Sequence, residues 1–201
     1  MRCLLVGLFV SLFVLASSAW AGHHSWNINE VFSDDDTTIQ FVEMHCPVSG
    51  ENGLDTWTVK SDSTAITFTF DADVVGSTLN RSALIGTNAY AALTGAPAPD
   101  YVLPDSFFDV SGDTLRYAGS SDVWTFGAVP TNGTDSLDRI GGVGLNSPKN
   151  LNGDEGSVDA NPPPPEPVPS FAAWGLAVLA GFMLLGASGL LRRDGSHGSA
   201  A

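Results

Sequence analysis

Hydrophobic and polar residues alternate with a period of two through much of the first half of the chain. The clearest stretch is 64–70, in which Ile66, Phe68 and Phe70 are separated by threonines. Because successive side chains of a strand point to opposite faces of a sheet, this pattern predicts a strand whose three large apolar side chains lie in the core.

A second alternating stretch, 37–44, carries apolar residues on both of its faces. The two predicted faces are Ile39, Phe41 and Glu43 on one side and Gln40, Val42 and Met44 on the other. The pattern predicts a strand, with a glutamate among the apolar residues of one face.

Further short runs are bounded by Gly, Asp, Asn or Ser, as strands usually are. They are 26–32, 57–60, 107–110, 114–117 and 123–126. Together these runs predict a mainly β fold, a small antiparallel sandwich, with one short helix at 88–93. After Pro130 the alternation fades into Gly- and Asn-rich sequence, which predicts loops.

The charge of the chain is strongly negative and unevenly distributed. The 201 residues carry a formal net charge of −14, and residues 22–170 contain 21 acidic and 5 basic residues, a net charge of −16. Such a surface repels phosphate backbones, so no nucleic-acid partner is expected. Cations, basic partners or solubility alone remain open as reasons for the acidity.

Cysteine is almost absent from the chain, which contains only Cys3 and Cys46. Cys3 lies in a segment that we expect to be removed, so the mature domain has a single thiol and no internal disulfide. The predicted domain, 22–160, is long enough to be held together by its core alone.

The first 21 residues have the three parts of a signal peptide. Arg2 is followed by an apolar run over 3–16, and the segment ends in Ala19-Trp-Ala21. We therefore expect export through the Sec translocon and cleavage by signal peptidase after Ala21. An uncleaved N-terminal anchor is the alternative.

The C-terminus has three parts in order. A Pro-rich spacer covers 161–170, and 171–191 follows without a charge, roughly 31 Å long as a helix. Arg192 and Arg193 then begin a short tail, 192–201. Because positive residues stay on the cytoplasmic side, this order predicts one transmembrane helix with the acidic domain outside the cytoplasm. The alternative is a buried hairpin helix of a soluble domain.

The residues around the start of this apolar span resemble a bacterial sorting signal. Val168-Pro-Ser-Phe-Ala-Ala-Trp-Gly175, the apolar span and the arginine pair resemble the IPTL-CTERM segment, and Pro165-Glu-Pro167 resembles the related PEP-CTERM signature. The resemblance implies an inner-membrane sorting protease as partner. The residues carrying the signal would be Val168, Pro169, Trp174, Gly175, Arg192 and Arg193. Val168, Ser170 and Phe171 depart from the consensus, and eight residues follow Arg193.

The start of the acidic domain resembles lamin-tail-like domains of bacterial secreted proteins. The resemblance rests on Trp26-Asn-Ile-Asn-Glu-Val-Phe32 and on Gln40-Phe-Val-Glu-Met44. It implies a small immunoglobulin-like sandwich that serves as a non-catalytic module.

Cleavage after Ala21 would create a new N-terminus at Gly22-His23-His24. A free α-amine with histidine in third position can bind Cu(II) or Ni(II) through the amine, two backbone amides and the imidazole. The alternative is a frayed polar terminus. No other cofactor is expected.

Three other candidate sites have simpler explanations. Asp34-Asp-Asp36 and the loop 150–156 carry oxygen ligands suited to Ca²⁺, but a solvated turn and an ordinary loop explain them. His45 and Cys46 are adjacent, so in a strand they would point to opposite faces and could not share a proton. We therefore expect no enzyme but a cell-surface or envelope module, with a metal-binding envelope protein as the alternative.

Overall fold

The computed structural model describes residues 22–161, which form ten strands and one short helix, α1. The strands are β1 Asn27–Ser33, β2 Gln40–Cys46, β3 Thr58–Ser61, β4 Thr67–Thr69, β5 Arg81–Gly86, β6 Tyr101–Val102, β7 Asp113–Tyr117, β8 Asp122–Phe126, β9 Asp135–Asp138 and β10 Gly142–Leu145. Helix α1 covers Asn88–Ala91. The mainly β prediction is therefore confirmed.

The strands form two sheets. A six-stranded sheet has the order β10-β9-β1-β2-β5-β6, and a four-stranded sheet has the order β4-β3-β7-β8. Every pairing is antiparallel except that of β5 with the two-residue β6. Side chains from both sheets meet in one hydrophobic core, so the two sheets form a single domain.

The facing predicted for the alternating stretch 64–70 is confirmed. Phe68 and Phe70 lie in the shared core, with their rings edge to face at 4.9 Å, and Ile66 packs against them half-buried. The strand itself is shorter than predicted, because only Thr67–Thr69 pair with β3. Aromatic pairs in this geometry add stability beyond the area that they bury.

The strand predicted at 107–110 is wrong. Phe107 and Phe108 are buried, but their backbone groups pair with a side chain instead of a strand. The Gln40 amide accepts a hydrogen bond from the Phe107 N–H at 2.7 Å and donates to the Phe108 carbonyl at 3.1 Å. The buried Gln40 side chain thus provides the hydrogen bonds that a neighbouring strand would otherwise give to this apolar but irregular segment.

The loops predicted after Pro130 are also wrong, because β9 and β10 form a hairpin there. Its turn is closed by Asp138, whose carboxylate accepts hydrogen bonds from the N–H groups of Ile140 and Gly141. Strand β5 was not predicted either. Its residues are buried on both faces, so they do not alternate between apolar and polar.

The helix predicted at 88–93 is confirmed in a shorter form. Helix α1 begins after Thr87, whose hydroxyl accepts a hydrogen bond from the Tyr90 N–H at 3.2 Å. A threonine in this capping position satisfies a backbone donor that the helix cannot. The helix carries Tyr90 onto the outer face of the six-stranded sheet.

Among residues 22–161, no helix is long and apolar enough to span a membrane. The predicted signal peptide with Ala19 and Ala21, the apolar span 171–191 and the tail 192–201 lie outside the described residues. The same holds for the sorting-signal residues Val168, Pro169, Trp174, Gly175, Arg192 and Arg193, and for the spacer beyond residue 161.

Candidate functional sites

The N-terminal segment of the described chain is docked on a neighbouring turn. The Gly22 N–H donates to the Gly50 carbonyl at 2.9 Å, and the Gly53 N–H donates to the Gly22 carbonyl at 3.0 Å. The Tyr117 hydroxyl donates to the His23 carbonyl at 2.8 Å. Residues 22–24 are therefore held in place, in contrast to the frayed terminus that was the alternative.

The two histidines of this segment differ in their surroundings. The His23 ring stacks on Trp57, with centroids 3.6 Å apart and an angle of 19° between the planes. His24 is exposed, and its Nδ1 lies 3.4 Å from the Ser121 hydroxyl. Burial lowers the pKa of His23, and the neighbouring His24 lowers it further, although Glu51 acts in the opposite direction. The His23 ring therefore favours the neutral form that metals require.

The predicted copper-type site and the docking of residues 22–24 both use the Gly22 nitrogen. Neither the His23 N–H nor the His24 N–H donates a hydrogen bond to a group within residues 22–161. The Gly22 nitrogen, in contrast, is used by Gly50. The Glu51 carboxylate lies beside Gly22, where a Cβ atom would meet it at 2.6 Å. A free amine at Gly22 would therefore lie near a carboxylate. Metal binding would have to break the hydrogen bond between the Gly22 nitrogen and the Gly50 carbonyl.

Two glutamates lie directly opposite each other on the outer face of the six-stranded sheet. Glu30 on β1 pairs with Glu43 on β2, and only 2% and 4% of their surfaces are exposed. Glu30 accepts hydrogen bonds from the Ser136 hydroxyl and from the N–H and hydroxyl of Ser147. Glu30 therefore fixes an irregular segment of the C-terminal part of the chain onto the sheet.

Glu43 makes the corresponding contacts on β2. It accepts hydrogen bonds from the Ser82 hydroxyl at 3.0 Å and from the Lys149 N–H at 2.8 Å. Burial raises the pKa of Glu30, and it raises the pKa of Glu43 to about 7. The Tyr90 hydroxyl, buried nearby and without a partner within the described chain, has a raised pKa because of burial and both carboxylates. One of the two carboxyl groups is thus poised to hold a proton near neutral pH.

The aspartate cluster at 34–36 uses its carboxylates to close its own turn. Asp34 accepts a hydrogen bond from the Ile39 N–H, and Asp36 accepts from the N–H and hydroxyl of Thr38. Thr37 has a φ of 62°, a left-handed conformation typical of tight turns. These contacts support the reading of this cluster as a turn.

The loop at 150–156 is closed in the same way. The Asn150 side chain accepts hydrogen bonds from the N–H groups of Asn152 and Asp154, and it donates to the Ala98 carbonyl. Within residues 22–161, no group of three or more His, Cys, Asp or Glu residues is arranged to hold a metal ion. The loop oxygens are therefore used for folding.

His45 and Cys46 do not come together. Cys46 lies in the shared core and donates a hydrogen bond from its thiol to the Val48 carbonyl at 3.2 Å. His45, its neighbour on β2, points to the opposite face. Burial raises the pKa of the Cys46 thiol, which disfavours the reactive thiolate.

Most basic side chains of the domain are bound internally. Arg139 pairs with Asp122 at 2.7 Å and also donates to the carbonyls of Ile28 and Val123. The other pairs and contacts are Arg116 with Asp62, Lys149 with Glu155, and Arg81 with the carbonyls of Val75, Ser77 and Leu151. Positive charge is therefore partly neutralised at its own position, and the acidic excess faces the solvent.

The sequence did not indicate the carboxylate pair as a site. One signal was present, because Glu43 falls on the face shared with Ile39 and Phe41, where a charged residue is out of place. The pairing of Glu43 with Glu30 depends on the register between β1 and β2, and the sequence pattern does not specify that register.

Comparisons with known proteins identified no family model, no curated protein and no solved structure that matches this chain.

Proposed function

We propose that this chain is a non-catalytic module of a bacterial envelope or cell surface, exported and then anchored or sorted through its C-terminal segment. The two sheets would form the immunoglobulin-like sandwich implied by the lamin-tail resemblance. The mainly antiparallel pairing and the single shared core support that fold.

The observation that carries the proposal is the closure of the two-sheet domain at both ends. Gly22 is bonded to the turn at Gly50, and at the other end the Ala160 N–H donates to the Gly133 carbonyl at 2.8 Å. The Asn146 amide holds both backbone groups of Val158. A domain closed in this way leaves the flanking segments for export and attachment.

The distribution of charge supports a role outside the cytoplasm. Four of the five basic residues within 22–161 are engaged in internal hydrogen bonds or ion pairs, whereas most aspartates face the solvent. Such a surface keeps a displayed domain soluble and attracts cations or basic partners. In this proposal the acidic surface is the contact side of the module.

Protease accessibility tests the proposed topology. When protease is added to cells whose outer layer has been opened, we expect the acidic domain to be degraded while cytoplasmic markers survive. Protection of the domain until the inner membrane is lysed would contradict the proposal. A melting curve of the purified protein measures folding separately from location.

Processing at the two ends separates an anchor from a sorting tag. Mass spectrometry of the protein from its native envelope should find Gly22 as the first residue. The double variant Pro169→Ala with Trp174→Leu keeps the apolar length and charge, so insertion should persist. If the segment is a sorting signal, this variant accumulates unprocessed, whereas Pro163→Ala in the spacer does not. Equal C-termini in all three proteins identify a simple anchor.

A second candidate function is Cu(II) or Ni(II) binding by the mature terminus Gly22-His23-His24. The observation that favours it is the absence of hydrogen bonds from the N–H groups of His23 and His24 within the described chain. Copper added to the mature protein should quench the fluorescence of Trp57, because the stacked His23 must move. His24→Gln should abolish this change and His45→Gln should not. Equal quenching in both variants would exclude the site.

A further inference from the structure

The edge strand β10 carries two apolar side chains that the core does not cover. Val143 pairs with Leu137, which pairs with Val31, so all three lie on the face turned towards the core. Val31 is buried and Leu137 is half-buried, but Val143 is 62% exposed and Leu145, two residues further along the same face, is 66% exposed. The four-stranded sheet meets β1 through β7 and β8, and its cover does not extend to β10.

Within residues 22–161 the backbone of β10 is also open on one side, since the strand pairs there only with β9. The other three edges within residues 22–161 are protected. Strand β6 has two residues. Strand β4 has three, of which two are exposed threonines. On β8, the Arg139 side chain donates a hydrogen bond to the carbonyl of Val123. In contrast, 140–147 contains no charged residue and no proline. Such an edge is a template for another strand.

We propose that β10 is a self-association edge, at which a second copy of this chain adds its own β10 in antiparallel pairing about Gly144. In this register Val143 of one copy lies opposite Leu145 of the other, and the reverse contact follows from the two-fold symmetry. Four aliphatic side chains then form one patch on the uncovered face. Gly144 meets Gly144, where no atom lies within 4 Å of a Cβ position.

The charge of the domain favours a second copy over a basic partner. A basic peptide would be drawn to the acidic surface, whereas the β10 edge has no charge to select it. Two copies repel each other everywhere except at such a neutral stretch. Salt screens that repulsion, so association should strengthen as the ionic strength rises. Only the short segment around Gly144 is paired, so the interface is small and the dimer is expected to be weak and concentration-dependent.

Sedimentation of the full-length protein in a mild detergent tests the pairing. The wild type should associate more strongly at high salt than at low salt. Val143→Asp should weaken association at least about tenfold, the equivalent of one added charge in a small apolar contact. Val75→Asp adds the same charge at another exposed valine, 88% exposed, and should associate like the wild type. Equal association of the two variants, a monomer at every concentration, or association weakened by salt would overturn the proposal.

Crosslinking tests the register and does not depend on the stability of the aspartate variant. The two Cα atoms at position 144 would lie close enough for a disulfide, so Gly144→Cys should form a covalent dimer under mild oxidation. Gly127→Cys is the matched control, because a Cβ at Gly127 also meets no atom within 4 Å. The native Cys46 is buried. A Gly144→Cys protein that crosslinks no faster than Gly127→Cys would contradict pairing about Gly144.

Discussion

The central strands β1 and β2 of the six-stranded sheet are buried on both faces, and the two faces are covered by different parts of the chain. On the inner face, Val31, Val42 and Met44 pack in the core shared with the four-stranded sheet. On the outer face, the same two strands carry Glu30 and Glu43, which hold the segment 147–149. The inner face is covered by another sheet, whereas the outer face is covered by irregular chain.

The difference between the two faces follows from where backbone groups find partners. When a second sheet covers a face, the N–H groups of that second sheet are already paired in its own ladder. The face beneath then needs to present only apolar side chains. An irregular segment has no ladder, and its buried N–H groups need acceptors from the face beneath. Glu30 and Glu43 supply these acceptors for Ser147 and Lys149. The polarity of a sheet face is thus set by the structure that covers it.

Removing an aromatic ring from the core that covers the inner face should have the largest effect. Phe68→Ala deletes a ring packed against Phe70 and Tyr101, and we expect the free energy of unfolding to fall by about 3–5 kcal/mol. Denaturant unfolding of the full-length protein measures the change. Thr69→Ala, on the exposed side of the same strand, should change stability by less than about 0.5 kcal/mol. Similar losses in both variants would show that the facing is wrong.

The shared core was largely predictable from the sequence, because its residues alternate. Phe68, Phe70, Val42 and Met44 follow a period of two, and each lies in the core as that period requires. Strand β5 was missed because burial on both faces removes the alternation. A strand that is covered on both sides does not show the alternation expected of a strand with one solvent-exposed face.

The outer face and the candidate sites could not be predicted to the same extent. The contact of Glu30 with Ser147 joins residues that are 117 positions apart, and no local pattern encodes it. The docking of residues 22–24 likewise depends on Gly50, Trp57 and Tyr117, which lie in three other parts of the chain. Local turns, such as Asp34-Asp-Asp36, were read correctly because their partners are neighbours in sequence.

The carboxylate pair predicts that the outer face weakens as pH rises. The pKa of Glu43 is raised from its ordinary value of 4.5 to about 7, so the folded state binds this proton more tightly than the unfolded chain. The resulting stability is complete below pH 4.5 and is lost as pH rises through 7. We expect the loss to be on the order of 3 kcal/mol. Unfolding in denaturant at several pH values measures it.

Two isosteric variants isolate this effect from other titrations. Glu43→Gln removes the titrating group but keeps an acceptor for the Lys149 N–H, so its stability should change less between pH 4.5 and 8 than that of the wild type. Glu155→Gln makes the same chemical change at an exposed position and should keep the wild-type profile. If the Glu43→Gln profile matches that of the wild type, the pair does not hold the proton.

The inner face also contains one place where irregular chain covers it, and there it carries a polar residue. Gln40, fully buried, bonds the backbone of Phe107 and Phe108. Gln40→Met keeps the volume but leaves those groups unpaired, so stability should fall by about 1–3 kcal/mol. Met44→Leu, four residues further along the same face, should cost less than about 1.5 kcal/mol. An equal, small cost for both variants would contradict the rule that the cover sets the polarity.

The smallest expected effect has the opposite sign and concerns Tyr90, which lies over the outer face. Its hydroxyl is buried without a partner in the described chain, close enough to Glu30 and Glu43 for both to raise its pKa. An unpaired buried hydroxyl costs stability, so Tyr90→Phe should raise the free energy of unfolding by about 1 kcal/mol. Tyr101→Phe deletes a hydroxyl that donates to the Ala72 carbonyl at 3.1 Å, and it should lower stability by a similar amount. Denaturant unfolding of both variants at pH 6 gives the comparison directly. A loss in Tyr90→Phe would mean that a water molecule links this hydroxyl to the carboxylates, and that the outer face is held by a larger polar network than its protein groups alone.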